Sequence, residues 1–305
     1  MKINKGIWKT GVLAAAMTLV FAMFIMRVDD WSKGLGSGFV AYGQTGGSTG
    51  GGTTSTGCGT TSSGSSGTTT VCATKVIPQI VAGDGYKTLI QVINTGTSTV
   101  TVNGDFYNTN GSTSTGSYTR TDSAGATTSF VGTMAGTSLP ANGILIIKAE
   151  KTTPGLFVNW GSISATGPVT VASAFDYTVG AVLYSRVGVS ASPSDMKQFV
   201  IPRSRDTVTG QDVGFAVVNT GSTSATANVV LRGAAGQTLA TKDLTLAAKS
   251  QTAVFASEFF GSALKDAAGT TYGFLTFTST SSQFAALALT VEGASLASYP
   301  VERLQ

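Results

Sequence analysis

Val76-Ile77-Pro78, followed by Leu89-Ile90-Gln91-Val92-Ile93-Asn94-Thr95-Gly96, is the stretch that decides the fold, because it occurs twice. Val200-Ile201-Pro202 leads in the same way to Phe215-Ala216-Val217-Val218-Asn219-Thr220-Gly221. The two copies lie 124 and 125 residues apart (76 to 200, 94 to 219). That period is too long for a solenoid repeat and matches a whole small domain. Each copy is rich in β-branched residues and is closed by a Gly-containing turn. From Ser98 the apolar Val100 and Val102 alternate with Thr99, Thr101 and Asn103. Period-two patterning around Thr95-Gly96-Thr97 predicts an antiparallel hairpin. Asn94 and Asn219, each just ahead of its turn, are expected to serve the turn itself.

The pattern continues outward from both copies. Leu139-Pro140-Ala141-Asn142-Gly143 turns into the apolar run Ile144-Leu145-Ile146-Ile147, and Leu246-Ala247-Ala248-Lys249-Ser250 turns into Thr252-Ala253-Val254-Phe255. Strands are expected over 156–165, 169–178 and 181–189 and again over 272–279, 284–291 and 296–301, with Trp160-Gly161 and Tyr272-Gly273 at matching places. Many short strands with frequent turn signals predict an all-β fold of two tandem antiparallel β-sandwich domains. Their expected limits are 74–190 and 197–305, with a linker at 191–196. One short helix is expected in the second domain, with Ser257 as N-cap and Gly269 as stop. Residues 109–138 are a Thr/Ser/Gly-rich insertion anchored by Tyr118, Phe130 and Met134. It reads as a contact surface or as a decorated hairpin extension.

The first 43 residues read as an export signal, either cleaved or kept as an anchor. Lys2, Lys5 and Lys9 precede an uncharged apolar run from Gly11 to Met26, which is short for a membrane span of about 20 residues. Residues 44–73 are nearly all Gly, Ser and Thr. They bury too little to offset ordering entropy, so a disordered tether is expected. Cys58 and Cys72 bracket part of it. In an oxidising compartment they pair, with roughly 3 kcal/mol from closing so short a loop. Of 19 basic and 15 acidic residues, five and two lie in the first 43, leaving 14 against 13. No basic cluster marks a nucleic-acid groove.

Val76 to Thr88, running into Val92-Ile93-Asn94, resembles the opening of tandem β-domain proteins secreted by environmental bacteria. The pattern through Val217-Val218-Asn219-Thr220-Gly221 is similar to bacterial immunoglobulin-like and fibronectin-III-like adhesion modules. The resemblance covers roughly residues 74–302. It implies an immunoglobulin-like sandwich and a bacterial extracytoplasmic setting (periplasm, cell surface or secreted), and supplies no catalytic motif.

The chain has no histidine. That removes Ser-His, Cys-His and His-metal chemistry, and no cofactor or metal site is expected. Acids stand singly, among them Asp84, Asp176, Asp206 and Asp212, whereas glycoside hydrolysis needs two carboxylates about 5–9 Å apart. Asp84-Gly85 reads as a hairpin turn. Arg203-Ser204-Arg205-Asp206 reads as a solvated loop or an interdomain salt bridge, with the binding of an anionic group as the alternative. The function expected is therefore non-catalytic, structural or adhesive, with cell-surface polysaccharide or another envelope protein as partner. Membrane contact is expected only through an uncleaved leader. The alternative is a carbohydrate-binding module that stacks sugars on Tyr107, Trp160 and Tyr177. Against it stands the reading of Trp160 as a core residue.

Overall fold

A computed structural model describes residues 59–61, 69–71, 73–151, 153–264, 270–292 and 295–304. The expectations for the leader, for most of the tether and for the Cys58–Cys72 pair fall outside these residues. A short ribbon of β1 (Gly59–Thr61) with β2 (Thr69–Val71) stands within the stretch expected to lack structure. Residues 71–305 form one compact unit. Among the described residues no helix is long and apolar enough to cross a membrane.

The compact unit is almost entirely strand, and its sheets are antiparallel and sandwich-like. In the first half β3 (Ala73–Ala82), β4 (Tyr86–Asn94), β5 (Val100–Asn108), β6 (Ser117–Thr121), β7 (Thr127–Val131), β8 (Thr133–Leu139), β9 (Ile144–Ala149), β10 (Phe157–Ala165), β11 (Val169–Val179) and β12 (Val182–Ser190) make two sheets, ordered β3-β10-β5-β8 and β12-β11-β4-β9-β6-β7. In the second half β13 (Gln198–Asp206), β14 (Asp212–Asn219), β15 (Ala225–Gly233), β16 (Thr238–Leu246), β17 (Gln251–Phe255), β18 (Thr270–Ser279), β19 (Phe284–Glu292), β20 (Ser295–Tyr299) and β21 (Glu302–Arg303) make two more, ordered β21-β13-β18-β15-β16 and β20-β19-β14-β17. Apart from the β6–β7 hairpin and β21, the two orders are the same. Even β21 has a counterpart: Glu302 pairs with Val200, as Ser192 bridges Val76.

Each half encloses its own core between its two sheets. Ile77, Ile90, Val102, Phe106, Leu145 and Ile163 belong to one core, and Phe199, Phe215, Val229, Leu231, Phe277 and Phe284 to the other. Pro78 lies on the edge strand β3, and Pro202 lies on β13 beyond Phe199 and Val200, the two residues that pair with β21, so at both places a missing N–H costs little.

Three expectations change. First, β4 and β5 are not a hairpin, nor are β14 and β15; each pair splits between opposite sheets. Alternation reports which face of a strand is buried, not which strand lies beside it. The same holds at Asp84-Gly85. Both residues take positive φ (49° and 89°) and Gly83 exchanges hydrogen bonds with Tyr86, yet β3 and β4 then enter different sheets. Second, the strand order is not that of an immunoglobulin constant-type domain, where the first and second strands are neighbours. Here β3 lies beside β10. Third, the insertion is shorter than expected, because β8 matches β16. What is extra is the β6–β7 hairpin, which extends the sheet beyond β9.

The hairpin is fixed by its own small core. Tyr118 is buried with its ring 4.5 Å from that of Phe106. Its hydroxyl accepts from Asn159 Nδ2 at 2.8 Å and lies 3.0 Å from Ser114 Oγ. Burial raises the Tyr118 pKa, opposed in part by the bonds to Ser114 and Asn159. The folded value thus lies above the unfolded one, so this group's stabilisation is full below about pH 10 and is lost as pH rises through the folded value. Tyr118→Phe is expected to cost about 1–2 kcal/mol at pH 7, since two buried polar groups lose a partner. Urea unfolding of wild type and variant should show that gap narrowing above pH 10.

The short helix α1 (Ala256–Phe260) follows β17, and a 3-10 turn (Gly261–Ala263) follows it. Ala256, Phe259 and Phe260 are buried in the second core. Ser257 is not the N-cap. Phe255 occupies that place without a side-chain bond, and the Ser257 amide donates to Asp212 Oδ2 at 3.2 Å. A carboxylate from β14 thus serves an amide that the local sequence leaves open. The expected stop at Gly269 lies outside the described residues.

Candidate functional site

Two features recommend themselves: a buried amide clamp built once in each half, and the junction between the halves. Asn94 ends β4 with no exposed surface. Its Nδ2 donates to the carbonyls of Ser98 (2.8 Å), Leu139 (3.1 Å) and Pro140 (2.9 Å), while Oδ1 accepts from the Gly96 amide at 2.9 Å. Asn219 repeats this set. Its Nδ2 donates to Thr223 (2.7 Å), Leu246 (3.1 Å) and Ala247 (2.9 Å), and its Oδ1 accepts from Gly221 at 2.9 Å. Neither Asn has a positive φ; the left-handed residues are Asn142 and Lys249 in the turns that the clamps hold. The side chain makes the turn by tying together two crossings between sheets.

At the junction, the outer face of β14 and β19 is covered by the first half. Phe175 and Val187 pack on Ala216, Leu287 and Leu289. Val76 and Trp160 pack on Val218 and Ala285. Trp160 is 1% exposed, and its Nε1 donates to the Lys249 carbonyl at 2.8 Å. Polar contacts lie alongside: Gln251 Nε2 donates to the Pro78 carbonyl at 2.6 Å and the Gln251 backbone amide donates to the Thr109 carbonyl at 2.9 Å, while Gln251 Oε1 and Gln79 Nε2 are buried without a hydrogen-bond partner. Gly111 (φ 88°) lets the chain pass the loop before β17; a Cβ there would lie 2.3 Å from the Ala248 carbonyl oxygen.

Tyr107 and Trp160 do come together. Their rings stack at 4.5 Å between centroids, with the Lys249 ammonium 5.9 Å from the centre of the Tyr107 ring. Burial, and secondarily Asp105, raises the Tyr107 pKa; burial lowers that of Lys249, opposed by Asp105. Tyr177 is elsewhere, buried, with its ring 4.6 Å from that of Tyr86. Trp160 and Tyr177 are thus buried against neighbouring rings, and Tyr107 is half-buried with one face on Trp160. The register also shifts one expected equivalence. Trp160 pairs with Tyr107, and Phe274 pairs with Arg232 at the corresponding place, so Phe274 rather than Tyr272 is the counterpart of Trp160.

The carboxylates serve structural partners. Asp176 takes both Arg186 Nε and Nη2 at 2.6 Å, Asp84 takes the Gly155 amide at 2.8 Å, and Asp206 takes the Val208 amide at 2.7 Å. Arg203 is neither in a solvated loop nor in a bridge between halves. It is buried on β13, with Nε 3.9 Å from Asp212 Oδ1 of the same half. Among the described residues no group of three or more Cys, Asp or Glu is placed to hold a metal ion.

No protein-family model matches the chain. No curated protein matches it either. Among solved structures, vicilin from Capsicum annuum aligns at 7% identity over 69% of this chain and 76% of its own, with a TM-score of 0.19. A lectin from Pleurotus ostreatus in complex with GalNAc aligns at 7% identity over 74% of this chain and 76% of its own, with a TM-score of 0.15. Likenesses at this level carry no argument about fold or function.

Proposed function

We propose that the chain is a non-catalytic, exported bacterial protein with a structural or adhesive role at the cell envelope or outside the cell. On this reading residues 74–190 and 197–305 are tandem β-sandwich domains that arose by duplication, joined at 191–196. The single observation that carries it is the shared strand order with the same Asn clamp in each half. Both copies spend a buried Asn side chain on architecture. The engaged carboxylates and the absence of histidine from the sequence support a role without catalysis. The basic and apolar leader, the Gly/Ser/Thr tether and the low charge support export.

Fractionation with surface proteolysis tests this reading: the chain should be protease-accessible on intact cells or recovered outside the cytoplasm. Intact-mass analysis of the mature protein should show the leader removed or retained, and should show Cys58 joined to Cys72. A folded cytoplasmic pool with both thiols free would end the proposal.

A further inference from the structure

The internal junction has an unfilled twin. In the second half, the outer face of the β17-β14-β19 sheet is covered: Ala216, Val218, Ala285 and Leu287 are all at most 4% exposed. Register places Gln91, Ile93, Thr170 and Ala172 at the same positions of the first half, with Ile144 and Ile146 standing where Gln251 and Ala253 stand. This face is uncharged at its centre, apolar at Ile93, Ala172, Ile144 and Ile146 and polar at Gln91 and Thr170, and among the described residues it is more open than its counterpart; Ile93 and Ile144 are 38% and 36% exposed. Ile144-Leu145-Ile146-Ile147 has apolar residues pointing to both sides of its sheet, as expected of a strand buried on both faces. Part of the covering surface has an open counterpart. Phe175 and Val187 are matched in the second half by the smaller Thr290 and Ala297. Val76 and Trp160 are matched by Val200 and Phe274 on β13 and β18. Val200 and Phe274 are half-buried, and Tyr272 beside Phe274 is 65% exposed.

We propose that the chain binds a second copy of itself head to tail. The β13–β18 surface of one copy (Val200, Phe274, Tyr272) covers the β4–β9–β11 face of the next (Ile93, Ile144, Ile146), repeating between molecules the part of the junction that Val76 and Trp160 make within each. Such a contact is heterologous: every copy keeps one surface of each kind, so assembly continues unless the rotation closes a ring. The inference deepens the structural role proposed above and rests on it only for the cellular setting; assembly in solution is measured without reference to export.

Sedimentation velocity on the full chain tests it. Wild type should grow in mass with concentration. Ile144→Glu and Phe274→Glu should each sediment as a monomer. Mixed one to one, they should form a heterodimer, because the first retains an intact β13–β18 surface and the second an intact β4–β9–β11 face. Heterodimer formation also shows that both variants are folded; if either loses its thermal transition, the milder pair Ile93→Thr and Tyr272→Ser is read the same way. A wild type that stays monomeric up to ~100 μM, where a micromolar contact is saturated, overturns the proposal, as it would if the face served a different envelope protein. So does assembly that survives both substitutions, or a mixture that fails to pair.

Discussion

Asn219→Ala is expected to lower stability by about 3 kcal/mol or more, the largest loss from any single polar substitution in this chain. The buried side chain holds three carbonyls and one backbone amide; the bond to the Leu246 carbonyl is fully buried and the others partly so. Deleting it leaves them without partners, and each such orphan costs about 1–3 kcal/mol, partly recovered where relaxation admits water. The midpoint of thermal unfolding should fall by roughly 10 °C for a unit of this size. Asn94→Ala should cost nearly the same, since its four distances match those of Asn219 within 0.1 Å. Asn219→Asp should not rescue, because it sets a carboxylate against three carbonyl oxygens. Losses under 1 kcal/mol in urea titrations of both alanine variants would show that the clamp is ornamental.

Trp160→Ala is expected to cost about 3–5 kcal/mol, the usual range for deleting a buried large aromatic. The loss should be local to the junction. Tyr107 loses its stacking partner, the Lys249 carbonyl loses a donor, and Val218 and Ala285 lose their cover. Calorimetry should show the halves unfolding further apart in temperature than in wild type, with Phe274→Ala, at the equivalent but uncovered place, far milder. An unchanged thermogram for Trp160→Ala would mean that the halves are not coupled through this contact.

Much of the fold was legible. The alternation at Val100 and Val102 marks one face of β5 as buried, and both residues are. The strand order shared by the two halves has its sequence sign in Val-Ile-Pro and Asn-Thr-Gly, each present twice. What alternation cannot carry is partnership. Thr95-Gly96-Thr97 looks like a hairpin turn, but Asn94 reaches residues 139 and 140, a link no local window contains. Residue type alone does not separate a ring that meets solvent from one that meets a neighbour, as Trp160 and Tyr177 show. A better signal was present. Phe284-Ala285-Ala286-Leu287-Ala288-Leu289 is apolar without interruption, which marks a strand buried on both faces. It points to the junction, as Ile144 to Ile147 points to the face left open.

The two-sided burial of β14 and β19 bears on how the molecule is made. Synthesis delivers the first half before the second. When the sticky sheet leaves the ribosome, the half that covers it has already been made and is tethered a few residues away. A circularly permuted gene that emitted the second half first would hold that surface bare for the time needed to synthesise its cover, and would lean on chaperones accordingly.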